Sequence, residues 1–292
     1  MFQILINIIA PVAICAGLGF FWAKTNRAFH METITGLVTN IGAPMLIFTT
    51  LVNLKMELAA FLEFGLLAFI VLLIFIPIAF TFLKLMKLDI RDFLPALIFP
   101  NIGNMGLPLC YFAFGEEGLT LALAFFAVYA TLQFTLGIWI VSGTGSLIQL
   151  LKTPLLYSVT IALLLRATQI PVPQWILSTT ELLGGITIPL MLMALGVSLS
   201  SLSVKHIKTA TILSIMRLAM GFGVGVGLSE LLGLEGAQRG VLILESTMPV
   251  AVFNYLFSLR YERASSQVAG TVLISTLLSF LLLPPLLIYV LP

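Results

Sequence analysis

Charge is scarce in this chain. Asp, Glu, Lys and Arg make up 9% of its 292 residues, against 60% hydrophobic ones, with a mean hydropathy of +1.15. A soluble globular domain carries about a quarter of charged residues, so that class is excluded. Histidine and cysteine occur twice each. His30 and His206 fall in predicted loops, which leaves no Ser/His/Asp or Cys/His set and no metal constellation; neither an enzyme nor a cofactor is expected. Cys15 and Cys110 lie inside apolar segments and read as small core hydrophobes rather than a disulfide or metal pair. The net charge of +2 comes without a basic run, so nothing points to nucleic acid. No stretch is polar enough for a separate soluble domain. The basic region and cleavage site of a signal peptide are also missing, so the N-terminus is expected to persist as a membrane span.

What the chain has is apolar runs. At roughly 20 apolar residues per spanning helix there is room for about ten. The pattern predicts helices near 3–23, 32–54, 58–83, 91–114, 116–141, 153–170, 174–200, 207–232, 236–259 and 264–291. The longest polar connection, Ser142 to Ser146, divides the chain into a first repeat (1–141), a linker (142–152) and a second repeat (153–292). Near the odd-numbered connections lie Lys24, Arg27, Lys84, Lys87, Arg91, Lys152, Lys205, Lys208, Arg260 and Arg263; near the even-numbered ones lie only Lys55, Arg166 and Arg239. By the positive-inside rule the odd connections face the cytoplasm, and both termini lie outside a cell membrane crossed many times.

One stretch resists a continuous helix. Phe99-Pro100-Asn101-Ile102-Gly103-Asn104-Met105-Gly106-Leu107-Pro108 sits in an apolar span yet holds two prolines, two glycines and two asparagines. Proline removes a backbone donor, glycine weakens a helix, and asparagine in hydrocarbon needs partners. Broken backbone at membrane depth survives where protein buries it or where it lines a cavity, and it points to a transporter's binding site. The second half echoes the first. Asn40 to Leu46 resembles Gly185 to Met191, with Pro44 and Pro189 145 residues apart; the broken stretch pairs with Glu245 to Asn254, with Pro100 and Pro249 149 apart. An odd number of spans per half inverts the second, which predicts an all-α membrane protein with a 5+5 inverted repeat and broken fourth and ninth helices.

Pro100-Asn101 and Met105 to Leu109, with Met248 to Phe253, Tyr261 and the run from Ser275 to Pro285, resemble the auxin efflux carrier family. That family includes the plant PIN-FORMED proteins and many bacterial organic-anion carriers. The resemblance implies a scaffold domain, a transport domain that moves as an elevator, and a crossing of the fourth and ninth helices at Pro100 and Pro249. It also implies a substrate-contacting asparagine at Asn101 and leaves a homodimer open, as plant members are dimers. The plant members' long central loop has no counterpart here.

Around the crossover, Asn101 and Asn104 supply uncharged donors beside freed backbone amides, which suits an anion at a half-helix N-terminus; the competing role is bracing the break. Gly103, Gly106 and Pro108 complete the first break. Asn40, Thr187, Asn254 and Arg217 are further candidates to line the site. Arg217 and Glu245 are the clearest charges at depth, about 15 and about 14 Å from opposite faces at the rise of a helix. A structural ion pair is the favoured reading; a carboxylate fork on Arg217 and an ion- or proton-coupling role for Glu245 compete with it. Gly221, Gly223, Gly225 and Gly227 read as small residues permitting close helix approach. The function expected is secondary transport of a small organic anion, a carboxylate in the first instance. The alternatives are a sodium-coupled symporter resembling the bile-acid carriers and a ligand sensor in the same fold.

Overall fold

The computed structural model describes residues 2–25, 27–53, 58–143, 154–202 and 206–291. The greater part of the linker, with Lys55, Lys152 and Lys205, lies outside them. Among the described residues there are helices and no strand. In chain order these are α1 (Phe2–Lys24), α2 (Met31–Leu37), α3 (Ala43–Val52), α4 (Leu58–Leu85), α5 (Ile90–Ile98), α6 (Leu107–Leu132), α7 (Ile138–Ser142), α8 (Pro154–Ala167), α9 (Gln174–Gly185), α10 (Thr187–Ser201), α11 (Ile207–Leu231), α12 (Gly236–Thr247), α13 (Val252–Arg260) and α14 (Ser265–Val290). Three π-helical turns interrupt them: Val38–Gly42 before α3, Ile102–Gly106 before α6, and Gln133–Gly137 after it.

Among the described residues, seven helical runs are long and apolar enough to cross a membrane. The longest, Ile102–Ser142, is not one rod. Gly115 holds φ +64°, a conformation glycine adopts without strain, and it folds the chain back between Phe114 and Glu116. That is the boundary expected between the fourth and fifth spans. Asp89 starts α5 by accepting from the backbone N–H of Arg91 (2.8 Å) and Asp92 (3.2 Å), which satisfies two otherwise orphaned donors.

The helices pack in two groups. In one, α1 lies along α10, and α3 lies against α8 and α9. In the other, α4 packs on α5 and α6, α11 on α12 and α14, and α12 on α6. Pairings recur between the halves: α4 meets α5 as α11 meets α12, and α1 meets α10 as α8 meets α3. Small residues set the closest approaches. A Cβ on Gly19 would strike the Met193 backbone, and one on Gly196 the Ala16 backbone, so α1 and α10 touch main chain to main chain. Of the four α11 glycines, Gly221 and Gly225 abut α12, whereas Gly223 and Gly227 face open space. The expectation that all four serve close approach is therefore corrected: residues two apart point to opposite helix faces, and only the i, i+4 pair shares one.

Arg263 reaches Asp92 (4.0 Å) and the Val141 carbonyl (3.1 Å), which joins three odd-numbered connections at one end. Ser198 and Met31 touch at 4.0 Å, joining two more. At the other end, Thr49, Asn53, Glu116, Glu117 and Glu181 line one depression.

Candidate functional site

The two broken stretches cross in the extended segments Phe99–Asn101 and Pro249–Ala251. Asn101 N–H donates to the Pro249 carbonyl (2.7 Å) and Ala251 N–H to that of Phe99 (3.2 Å), an antiparallel bridge of Pro100 with Val250. Val250 N–H donates to Ser275 Oγ (3.1 Å), and Asn254 Nδ2 to the Phe99 carbonyl (2.9 Å). Prolines at the crossing remove two donors that would otherwise need partners; the Asn101 and Ala251 N–H groups are satisfied across the X, and that of Val250 by Ser275 on α14.

Arg217 closes the other side of the crossing. It is fully buried; its Nη1 donates to the Leu97 carbonyl (2.7 Å), Nε to that of Met248 (3.2 Å) and Nη2 to that of Ser246, while the guanidinium lies 4.5 Å over the Phe75 ring. Those carbonyls belong to the C-terminal ends of α5 and α12. One cation thus neutralises the negative poles of both incoming half-helices. The expected Arg217–Glu245 ion pair is overturned. Among the described residues neither Arg217 nor Glu245 takes part in an ion pair of the kind that joins Arg239 to Glu230 and Arg263 to Asp92. Arg217 reaches past Glu245 to main-chain oxygens, and the Glu245 side chain turns toward α6, where Oε1 accepts from Cys110 Sγ at 3.6 Å.

The outgoing half-helices frame a cavity. Its wall includes Asn101 to Asn104 at the start of the π turn that leads into α6, and Ala251 to Phe253 at the start of α13. Both sets of N–H groups begin there, so the positive helix poles meet at the cavity while the negative poles are held by Arg217. All three π turns reach the same space through Val38 and Thr39, Ile102 to Asn104, and Gln133 and Phe134. Such turns recur at functional sites, because the extra residue widens the helix and re-aims side chains. Asn101 is 4% exposed and its Nδ2 has no hydrogen-bond partner. Phe126, Phe134, Phe253, Met191 and Leu256 make the remaining wall largely apolar, and among the described residues no basic side chain lines it.

The expected site residues separate. Pro100, Asn101, Gly103 and Asn104 line the cavity. Gly106, Pro108 and Pro249 are buried in the crossing without lining it. Asn254 braces it, taking a hydrogen bond from Gln133 Nε2 (3.3 Å). Asn40 faces outward and caps the Gly36 carbonyl (2.9 Å). Thr187 is fully buried with its hydroxyl against Gly42. Arg217 and Glu245 lie behind the crossover. Gln133 was the residue left unnoticed: a lone amide within an apolar span, with no proline and a single glycine four residues on, gives no sign of a break.

A helical bundle broken at a buried crossing, with a cavity at the break, defines a membrane transport protein. The chain belongs to the Membrane transport protein family, the auxin efflux carrier family, which it matches over residues 4–146 and 138–289. It is 28% identical over 271 residues to an uncharacterized transporter of Methanocaldococcus jannaschii, covering 87% of this chain and 88% of the relative. Over 268 residues it is 28% identical to an uncharacterized transporter of Methanothermobacter thermautotrophicus, covering 87% of each.

Proposed function

We propose that the chain carries a small organic anion, a carboxylate, across the cell membrane by alternating access, with Asn101 and Asn104 as its principal contacts. The observation that supports this most is polarity: two helix N-termini and the unpartnered Asn101 amide converge on a cavity, and among the described residues no acidic side chain lines it to hold a cation. A carboxylate can accept from amide and backbone N–H groups together. Ten spans in a 5+5 inverted arrangement are supported by the recurring helix pairs and by the Gly115 fold-back. The two packing groups suit an elevator in which the crossover group slides along α1, α3, α8, α9 and α10.

Orientation follows from the basic residues at the odd connections, which favour the cytoplasm. The cavity wall extends from the crossover to Met31 and Ser198 at that same end, which favours an inward-facing reading of this conformation. Stability of the purified protein against acetate, malonate, malate and benzoate, each with sodium or potassium, tests the reading. A ligand of the folded state raises the melting temperature by mass action. A shift with one of these anions in wild type and none in Asn101→Ala is expected. Stabilisation by organic cations alone would overturn the anion reading.

A further inference from the structure

Glu245 remains unused by that scheme, and its surroundings are unusual. The side chain is fully buried; Oε1 takes a weak contact from Cys110 Sγ (3.6 Å), and Oε2 has no hydrogen-bond partner. The groups facing it can be named element by element. From α11 comes Arg217, whose guanidinium is engaged by three carbonyls. From α6 come the Cys110 thiol and the buried Tyr129 hydroxyl, neither of them cationic. The π turn Ile102–Gly106 carries no ionisable residue, and α14 has only Tyr289, at its far end beside Arg239. On α4 the ionisable residues are Glu63 and Lys84, near its two ends. A bare carboxylate removed from water, with no cation within ion-pairing distance among the described residues, is among the costliest groups a protein can bury.

Room is the second constraint. A Cβ on Gly106 would collide with both carboxyl oxygens of Glu245, so the carboxyl lies flat against the Gly106 main chain. A metal cation would need several oxygens around it in that space. A proton needs none.

We propose that Glu245 is a proton-binding site, neutral in this conformation, that is mechanically linked to the cavity. The link is the π turn itself. At one end Gly106 packs on the Glu245 carboxyl; at the other Asn101 faces the cavity, and the Gly106 and Met105 N–H groups both return to the Asn101 carbonyl (3.2 and 3.3 Å). Proton release would place a charge against Gly106 and displace the turn that presents Asn101. Binding of a proton at Glu245 stands independently of the transport reading; only its use in coupling rests on it.

The test uses the full chain in liposomes without any carboxylate. Infrared difference spectra between neutral and strongly alkaline buffers report carboxyl groups that hold a proton at neutral pH and lose it above. Wild type is expected to show a buried carboxylic C=O band at neutral pH in potassium buffer. The band is lost in Glu245→Gln and shifted, not lost, in Cys110→Ala, which removes the Oε1 contact and guards against a misfolded first variant. An ionised Glu245 under these conditions overturns the proposal, as does a band that vanishes when sodium replaces potassium, because the site would then belong to a metal cation. For the link, Asn104→Cys is labelled with a water-soluble maleimide across pH, with and without Glu245→Gln. The ratio of the two rates should change with pH; a constant ratio rules the mechanical link out. Neither readout depends on which anion is carried, so this proposal and the carboxylate reading can fail separately.

Discussion

At the scale of single residues, Arg217 and Asn101 divide the labour of the crossover. Arg217 has no exposure, and among the described residues it is the cation that bonds its three carbonyl partners. Arg217→Met should therefore lower stability by about 3 kcal/mol or more, since each charge-assisted bond lost leaves a buried acceptor unpaired. Arg217→Lys should rescue little, because an ammonium cannot match the planar fork that reaches both half-helices. Melting temperatures of the two variants decide this. Adding Glu245→Gln to Arg217→Met should restore nothing, whereas an ion pair would predict recovery. Asn101→Ala should leave the melting temperature nearly unchanged, because its Nδ2 has no partner to lose. Its loss of anion affinity should be about 5- to 150-fold, for one buried contact of roughly 1–3 kcal/mol; unaltered binding would make Asn101 a brace. The sequence made Asn101 visible through its proline neighbour. It could not give the direction of Arg217, since depth along a helix fixes height but leaves azimuth open, and the guanidinium follows the carbonyls rather than the nearest carboxylate.

At the scale of elements, the crossing depends on glycines whose missing Cβ atoms are filled by neighbours. Gly106→Ala should cost about 1–3 kcal/mol by overpacking, because the Glu245 carboxyl lies where the methyl group would go. Gly103→Ala meets Met191 Cε (2.6 Å) and Phe126 Cε2 (2.9 Å), and the methionine tip can yield, so its effect on stability should be smaller. Gly223→Ala is the control: open space surrounds it, and helix propensity should make it neutral or stabilising by up to about 1 kcal/mol. Thermal unfolding of the three variants should give that order, and equal losses would contradict the packing. Broken elements were legible in the sequence wherever proline, glycine and asparagine cluster, as at residues 100–108. The π turn Gln133–Gly137 was not, since it has no proline and only one glycine, and Leu132, Phe134 and Leu136 read as part of an ordinary spanning helix.

At the scale of the whole molecule, apolar run lengths made an all-helical membrane protein readable, with seven runs among the described residues long enough to span. They did not reveal which helices move together, because that depends on contacts between segments far apart in sequence. The division into two packing groups gives a direct test of the proposed elevator. Thr49 and Thr180 lie in one group, with their Oγ1 atoms 2.7 Å apart between α3 and α9. Met191 on α10 and Phe126 on α6 belong to different groups, yet both flank Gly103 at the cavity. Cysteines at each pair, in a Cys15→Ala background with the buried Cys110 left in place, can be bridged by a short bifunctional thiol reagent. Bridging Thr49→Cys to Thr180→Cys should leave exchange of the stabilising anion intact, since those helices keep their mutual packing throughout an elevator cycle. Bridging Met191→Cys to Phe126→Cys should arrest exchange, and cleavage of the linker should restore it. If both bridges are tolerated, the groups do not slide, and access must alternate by smaller rearrangements of the π turns around the cavity.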